Sequence, residues 1–172
     1  MKHIKLFENF IESDLSSKYS NFSGGPIWHV SSVPIEQLLP NQPLWFALEY
    51  DHSLAGWYQN SLDENGSAYL YEAQVSGKIA VQDDPQVTEL FEKAGLSIED
   101  DYIVEVLVQN PTAEEVLEAD GTKLLQSAGY TGLIYYDYDP RDFNNDLEAI
   151  IVFDSANLVG WHLKDSSSNE TH

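Results

Sequence analysis

The chain contains no cysteine. That absence removes a disulfide framework, a thiolate nucleophile and a cysteine-ligated zinc cluster together. Histidine does not supply a metal site in their place, because the five imidazoles, at positions 3, 29, 52, 162 and 172, have no ligand-like spacing. Basic residues are the second shortage: eight stand against 29 acidic ones, for a net charge of −21. Such a surface repels nucleic-acid phosphates, so no nucleic-acid binding is expected. An anionic ligand group would have to be held by backbone N–H groups at a helix start or loop, since the lysines and the single Arg141 are not clustered. The third absence is a long apolar run. None approaches the ~20 residues of a membrane span, and the first twelve residues interrupt their apolar positions with charges, unlike a secretory signal. A cytoplasmic protein without a membrane partner is the expectation.

Apolar residues make up 42% of the 172 positions and aromatic ones 12%, enough for a true core in one domain. A chain of this length buries about two-thirds of its unfolded surface. Three regions are expected. Residues 1–25 form an N-terminal unit, with an amphipathic helix carrying Ile4, Phe7 and Ile11 on one face and a Ser/Asn/Gly-rich loop over Ser13 to Gly25. Residues 26–164 form the folded domain, and 165–172 a disordered tail. Within the domain, apolar runs predict strands at Pro26 to Ser32, Leu44 to Tyr50, Tyr69 to Val75, Ile79 to Val81, Tyr102 to Val108 and Leu147 to Phe153. Helices are expected after Asp51 or Ser53 as N-cap, over Pro85 to Ala94 with a stop at Gly95, and over Thr112 to Ser127, where Thr112 and Glu115 form a capping box. This β-rich list with flanking helices predicts an α+β domain.

Three segments hold residues with chemistry. In Pro26-Ile27-Trp28-His29-Val30-Ser31-Ser32 the two-residue period of a strand puts His29 and Ser31 on one face. Leu44-Trp45-Phe46-Ala47-Leu48-Glu49-Tyr50 reads as a strand that leads through a capping turn into a helix with Trp57 and Tyr58. In Leu147-Glu148-Ala149-Ile150-Ile151-Val152-Phe153-Asp154 a carboxylate stands at the mouth of a buried strand. Taken singly, each has an ordinary reading: a Glu at a strand edge is usually solvated, a His in an apolar strand is usually packed, and Trp and Tyr carry much of any small core.

Taken in order, the segments resemble the ADP-ribosyltransferase superfamily, in its His-Tyr-Glu branch of poly-ADP-ribose polymerases and diphtheria-type toxins, and its small bacterial or phage members in particular. Trp28-His29-Val30-Ser31 is similar to the Trp/Tyr-His-Gly-Ser/Thr motif of that branch. Trp45-Phe46-Ala47, with Ala55-Gly56-Trp57-Tyr58 downstream, is similar to its Tyr-Phe-Ala/Ser segment and Ala-x-x-Tyr. Gly129-Tyr130-Thr131-Gly132-Leu133-Ile134 and the run from Glu148 to Asp154 are similar to its last two strands. The resemblance covers residues 26 to 162. Val30 stands where the family has Gly, Trp45 where it has Tyr, and Glu148 lies one residue farther from Val152-Phe153-Asp154 than in the family motif. The N-terminal Lys5-Leu6-Phe7-Glu8-Asn9-Phe10-Ile11-Glu12 weakly resembles leader peptides of tailed-phage proteins packaged into capsids.

The resemblance implies two packed β-sheets around an NAD cleft, with NAD+ as substrate. It implies mono-ADP-ribosylation of an acceptor protein after cleavage of the bond between nicotinamide and ribose. Glu148 would be the catalytic carboxylate, His29 would hold a ribose hydroxyl, Ser31 the nicotinamide amide, and Trp45, Tyr58 and Trp57 would offer aromatic faces to the pyridinium ring. Loops around Tyr135 to Asn145 would face the acceptor. Two other functions fit the sequence. One is an NAD glycohydrolase, in which water is the acceptor. The other is a catalytically inactive acidic module, such as an inhibitor, an immunity partner or a nucleic-acid mimic, bound to a basic protein partner.

Overall fold

The computed structural model describes residues 15–50, 52–96, 112–137 and 147–168. The N-terminal amphipathic helix, the strand at Tyr102 to Val108, the Asp51 cap, and residues 138–146 of the acceptor-facing loop lie outside the described residues. In order, the described elements are α1 (Leu15–Tyr19), β1 (Ile27–Ser31), β2 (Leu44–Ala47), α2 (His52–Asn65), β3 (Ser67–Val75), β4 (Lys78–Val81), α3 (Pro85–Lys93), α4 (Ala113–Glu118), α5 (Asp120–Ser127), β5 (Tyr130–Asp137), β6 (Leu147–Val152) and β7 (Leu158–Ser168). The chain is thus an α+β protein. Among the described residues no helix is long and apolar enough to cross a membrane.

The strands form one hydrogen-bonded sheet in the order β4-β5-β6-β2-β1-β3-β7, where two packed sheets are the sequence expectation. The cause is β2. It pairs with β6 over four residues, Leu44↔Val152 to Ala47↔Ala149, and touches β1 at the single pair Trp28↔Ala47. A four-strand half and a three-strand half are therefore fused along one narrow line. All neighbours run antiparallel except β4 and β5.

Strand alternation sorts the core into two sides. On one, Leu133, Tyr135, Ala149, Ile151 and Phe153 pack under Val87 and Phe91 of α3, Val116 of α4 and Leu125 of α5. Farther along the same side, Trp28, Ala47 and Leu70 pack under Leu54, Trp57 and Tyr58 of α2. The other side carries Ile27, Leu44, Phe46, Ile134, Ile150 and Val152, and the one described helix packed there is the five-residue α1, through Leu15.

Local signals hold where their chemistry is local. Asp84 caps α3 by accepting from the Gln86 N–H at 2.8 Å, and Pro85 opens the helix. The capping box is formed: Glu115 accepts from the Thr112 N–H at 2.7 Å, and Thr112 Oγ1 from the Glu115 N–H at 3.2 Å. The helix expected over Thr112 to Ser127 is nonetheless two helices, broken at Ala119, where ψ is 133°. The break turns Val116 and Leu125 onto the same sheet surface. Two stretches expected to be irregular are ordered. Ser13 to Gly25 contains α1 because Leu15 is fully buried. The expected tail continues β7, with Asp165 to Ser168 paired to β3 from Leu70 to Ser67, by backbone hydrogen bonds that serine supplies without an apolar signature. Gly132 is fixed by close approach, since a Cβ there would meet the Ile151 carbonyl oxygen at 2.5 Å.

Leu15 ties α1 to the sheet. Replacing it with Ala leaves a cavity among the residues that surround it, so Leu15→Ala should lower unfolding stability by about 2–5 kcal/mol in urea denaturation. An unchanged midpoint would show that α1 is not anchored.

Candidate active site

At the junction of the two half-sheets, β1 leaves β2 directly after Trp28, and the side chain of the next residue fills the opening. His29 Nδ1 lies 2.7 Å from the Trp45 carbonyl oxygen. A carbonyl can only accept, so Nδ1 carries the hydrogen and Nε2 of the neutral ring is left as an acceptor. Burial keeps the imidazole pKa below its ordinary value, partly opposed by the Trp45 bond, so the neutral form dominates at pH 7. The ring leans on Phe46, with centroids 5.6 Å apart, and on Trp161 at 6.0 Å.

Glu148 is on the same side of the sheet. The β5–β6 ladder runs without a break from Gly132↔Val152 to Asp137↔Leu147, with Glu148 opposite Tyr136. Period two then places Glu148 with Ile150 and Val152, the partners of Phe46 and Leu44. Glu148 and His29 are separated by one strand and two residues, roughly 12 Å between backbones at ordinary strand spacing. The carboxylate is held from α1: Lys18 Nζ lies 2.6 Å from Oε2, and the Tyr19 hydroxyl donates to the same oxygen. Lys18 also meets Glu49 Oε1 at 2.5 Å. Partial burial opposes the Lys18 charge, but the two carboxylates outweigh it and hold the pKa above the usual lysine value. Burial, and then the bond to Glu148, push the Tyr19 phenol up as well, so it remains a proton donor.

Of the residues expected at the site, the structure gathers His29, Ser31 and Glu148 on one side of the sheet. The Ser31 hydroxyl is engaged locally, donating to the Val33 carbonyl at 2.7 Å. Val30 points the other way, into the cluster under α2, where its bulk does not meet the His29 side. Trp45, Trp57 and Tyr58 are not brought to Glu148. Trp45 packs with Tyr135, Ala149 and Ile151 under α3 to α5, and Trp57 and Tyr58 pack over Trp28. On β2 the alternation hands the His29 side to Phe46 instead. Tyr135, expected in an acceptor-facing loop, is fully buried in the core.

The rings beside His29 are Phe46 and Trp161, and Trp161 is in turn stacked on Tyr71 at 4.5 Å and 9°. Sequence reasoning misses the Trp161 stack because Trp161 reaches this side through a bulge. The β3–β7 register slips between Glu72 and Gln74, and Gly160 opposite the slip takes a φ of +67°. A Gly directly before a Trp in an edge strand is the one signal available. Lys18 and Tyr19 are missed because nothing in their own segment points to a residue 130 positions away. Among the described residues no three potential metal ligands converge.

Comparison of the chain with protein families, characterised proteins and solved structures finds no match. What the site can do rests on its own geometry: an imidazole acceptor, a carboxylate and an aromatic stack along one face.

The His29 environment also sets a pH dependence. An imidazole whose pKa is lowered by folding binds fewer protons below pH 6.5 than it does in the unfolded chain. Its contribution to stability is complete above that pH and is lost as the pH falls below it. Urea unfolding from pH 7.5 to 5 should show wild type losing more stability than His29→Gln. Parallel curves would mean that His29 is as readily protonated in the fold as outside it.

Proposed function

We propose that the chain is an NAD+-dependent mono-ADP-ribosyltransferase whose site lies on the His29–Glu148 side of the sheet. The observation that carries the reading is the placement of Glu148 and His29 on one face, with His29 Nδ1 committed to Trp45 and Nε2 left to accept.

The reaction begins when the bond between the ribose C1′ and the pyridinium nitrogen breaks. Its electron pair leaves on nicotinamide, which departs neutral, and C1′ becomes oxocarbenium-like. The Glu148 carboxylate stabilises that charge and accepts a hydrogen bond from a ribose hydroxyl. His29 Nε2 accepts from a second hydroxyl and so fixes the sugar. Lys18 carries one positive charge between Glu148 and Glu49, so the three side chains sum to −1 and the field at C1′ stays favourable. The indole of Trp161, in place of Trp45, offers a face to the pyridinium, worth about 0.5–2 kcal/mol where water is excluded. An acceptor lone pair then forms the new bond to C1′, and the acceptor proton passes to Glu148 or to water. With water as the acceptor the same site is a glycohydrolase. Comparing ADP-ribose attached to lysate proteins with free ADP-ribose separates the two.

A second reading keeps the fold and removes the chemistry. The net charge of −21 and the occupied Glu148 oxygen favour an inactive acidic module. It predicts no nicotinamide release and salt-sensitive binding to a basic protein partner.

Purified protein should release nicotinamide from NAD+, and Glu148→Gln of equal thermal stability should lose about 10²–10³-fold in kcat. Equal rates in the two proteins would remove Glu148 from the mechanism. Trp161→Leu should raise the KM for NAD+ by about 3- to 30-fold, whereas Trp45→Phe should leave it unchanged. The reverse pattern would return the ring contact to Trp45.

A further inference from the structure

We infer that Lys18 and Tyr19 are positioning residues for Glu148: they fix Oε2 of the carboxylate and present Oε1 to the ribose hydroxyl. This inference rests on the transferase reading above.

Both donors reach the same oxygen. Lys18 Nζ lies 2.6 Å from Oε2, the Tyr19 hydroxyl bonds to it as well, and no donor from the described residues reaches Oε1. A carboxylate on a side chain with three rotatable bonds is otherwise free to swing. Two charge-assisted bonds to one oxygen remove that freedom without blocking the other.

Three features make this a fixed support rather than a removable cap. Leu15, one turn before Tyr19 in α1, is fully buried in the core. The Tyr19 ring packs edge-on against Phe22, with centroids 6.1 Å apart and planes at 80°. Lys18 is held from a second side by Glu49, which follows β2, the strand between the two candidate groups. A segment that merely covered the site would have no need of the buried Leu15, and a lone lysine would cancel the carboxylate charge. The Glu49 partner keeps the cluster at −1.

The test is nicotinamide release from NAD+ by the full chain and by Tyr19→Phe, Lys18→Met and Lys18→Arg, each checked for an unchanged melting temperature. Tyr19→Phe and Lys18→Met should each lower kcat by about ten- to a hundredfold, with the KM for NAD+ unchanged. Lys18→Arg should recover most of the loss, because a guanidinium can serve both carboxylates. A loss of fold alone would also lower apparent kcat at constant KM, so the unchanged melting temperature and the rescue by Arg are what exclude it. If Tyr19→Phe melts early, the Lys18→Met and Lys18→Arg pair decides. Unchanged kcat in the variants beside an active wild type overturns the inference and leaves the transferase reading standing. Faster release in Tyr19→Phe overturns it too, by making α1 a latch. No release from wild type overturns both.

Discussion

Strand β2 sits between two unequal commitments, and the arrangement of the site depends on it. Four residue pairs bind it to β6, whereas one pair binds it to β1. The first commitment fixes which face of β6 carries Glu148, because every residue from Leu44 to Ala47 is locked against a partner and a slip by one would turn the carboxylate into the helix-covered core. The second lets β1 part from β2 directly after Trp28. At that point the sheet lacks a backbone bond, and the His29 imidazole supplies one to the Trp45 carbonyl instead. One bond thereby closes a gap in the sheet, sets the tautomer of the ring and aims its second nitrogen. The separation of covers follows from the same alternation: among the described residues, α2 to α5 pack on one side and α1 on the other.

Charge is arranged around this frame with little to spare. With eight basic residues in the whole chain, the placement of one against both Glu148 and Glu49 concentrates a scarce charge at the candidate site. A second lysine, Lys164, is used in a similar way on the far side of the sheet. There Glu72 accepts from it and, at 2.9 Å, from the Trp28 indole N–H, and these bonds hold its pKa below the usual carboxylate range. Both clusters join segments distant in sequence, which a chain of net charge −21 could not do with carboxylates alone.

What the sequence discloses follows the range of the physics involved. The capping box at Thr112 and Glu115, the proline-led start of α3, the Gly95 stop and the strand at β3 are legible because their causes lie within a few residues of one another. The pairing of His29 with Ser31, and the isolation of Val30 from them, is legible for the same reason, since alternation needs only neighbours. Which face Trp45 takes is not, because period two says that Trp45 and Phe46 oppose each other without saying which one meets His29. The hold of Lys18 and Tyr19 on Glu148, the fusion of two half-sheets through β2 and the bulge that delivers Trp161 all need partners far away in sequence. So does the ordering of Leu15 within a serine-rich stretch, where a single buried leucine outweighs local composition.

The most direct test of the central claim is a titration of the isotopically labelled protein with NAD+, followed through the indole N–H signals of its four tryptophans and the imidazole nitrogens of His29. The account predicts that the free protein shows His29 protonated at Nδ1, and that NAD+ shifts the His29 and Trp161 signals while those of Trp45 and Trp57 stay in place. Shifts confined to Trp45 and Trp57, or none at saturating NAD+, would contradict it.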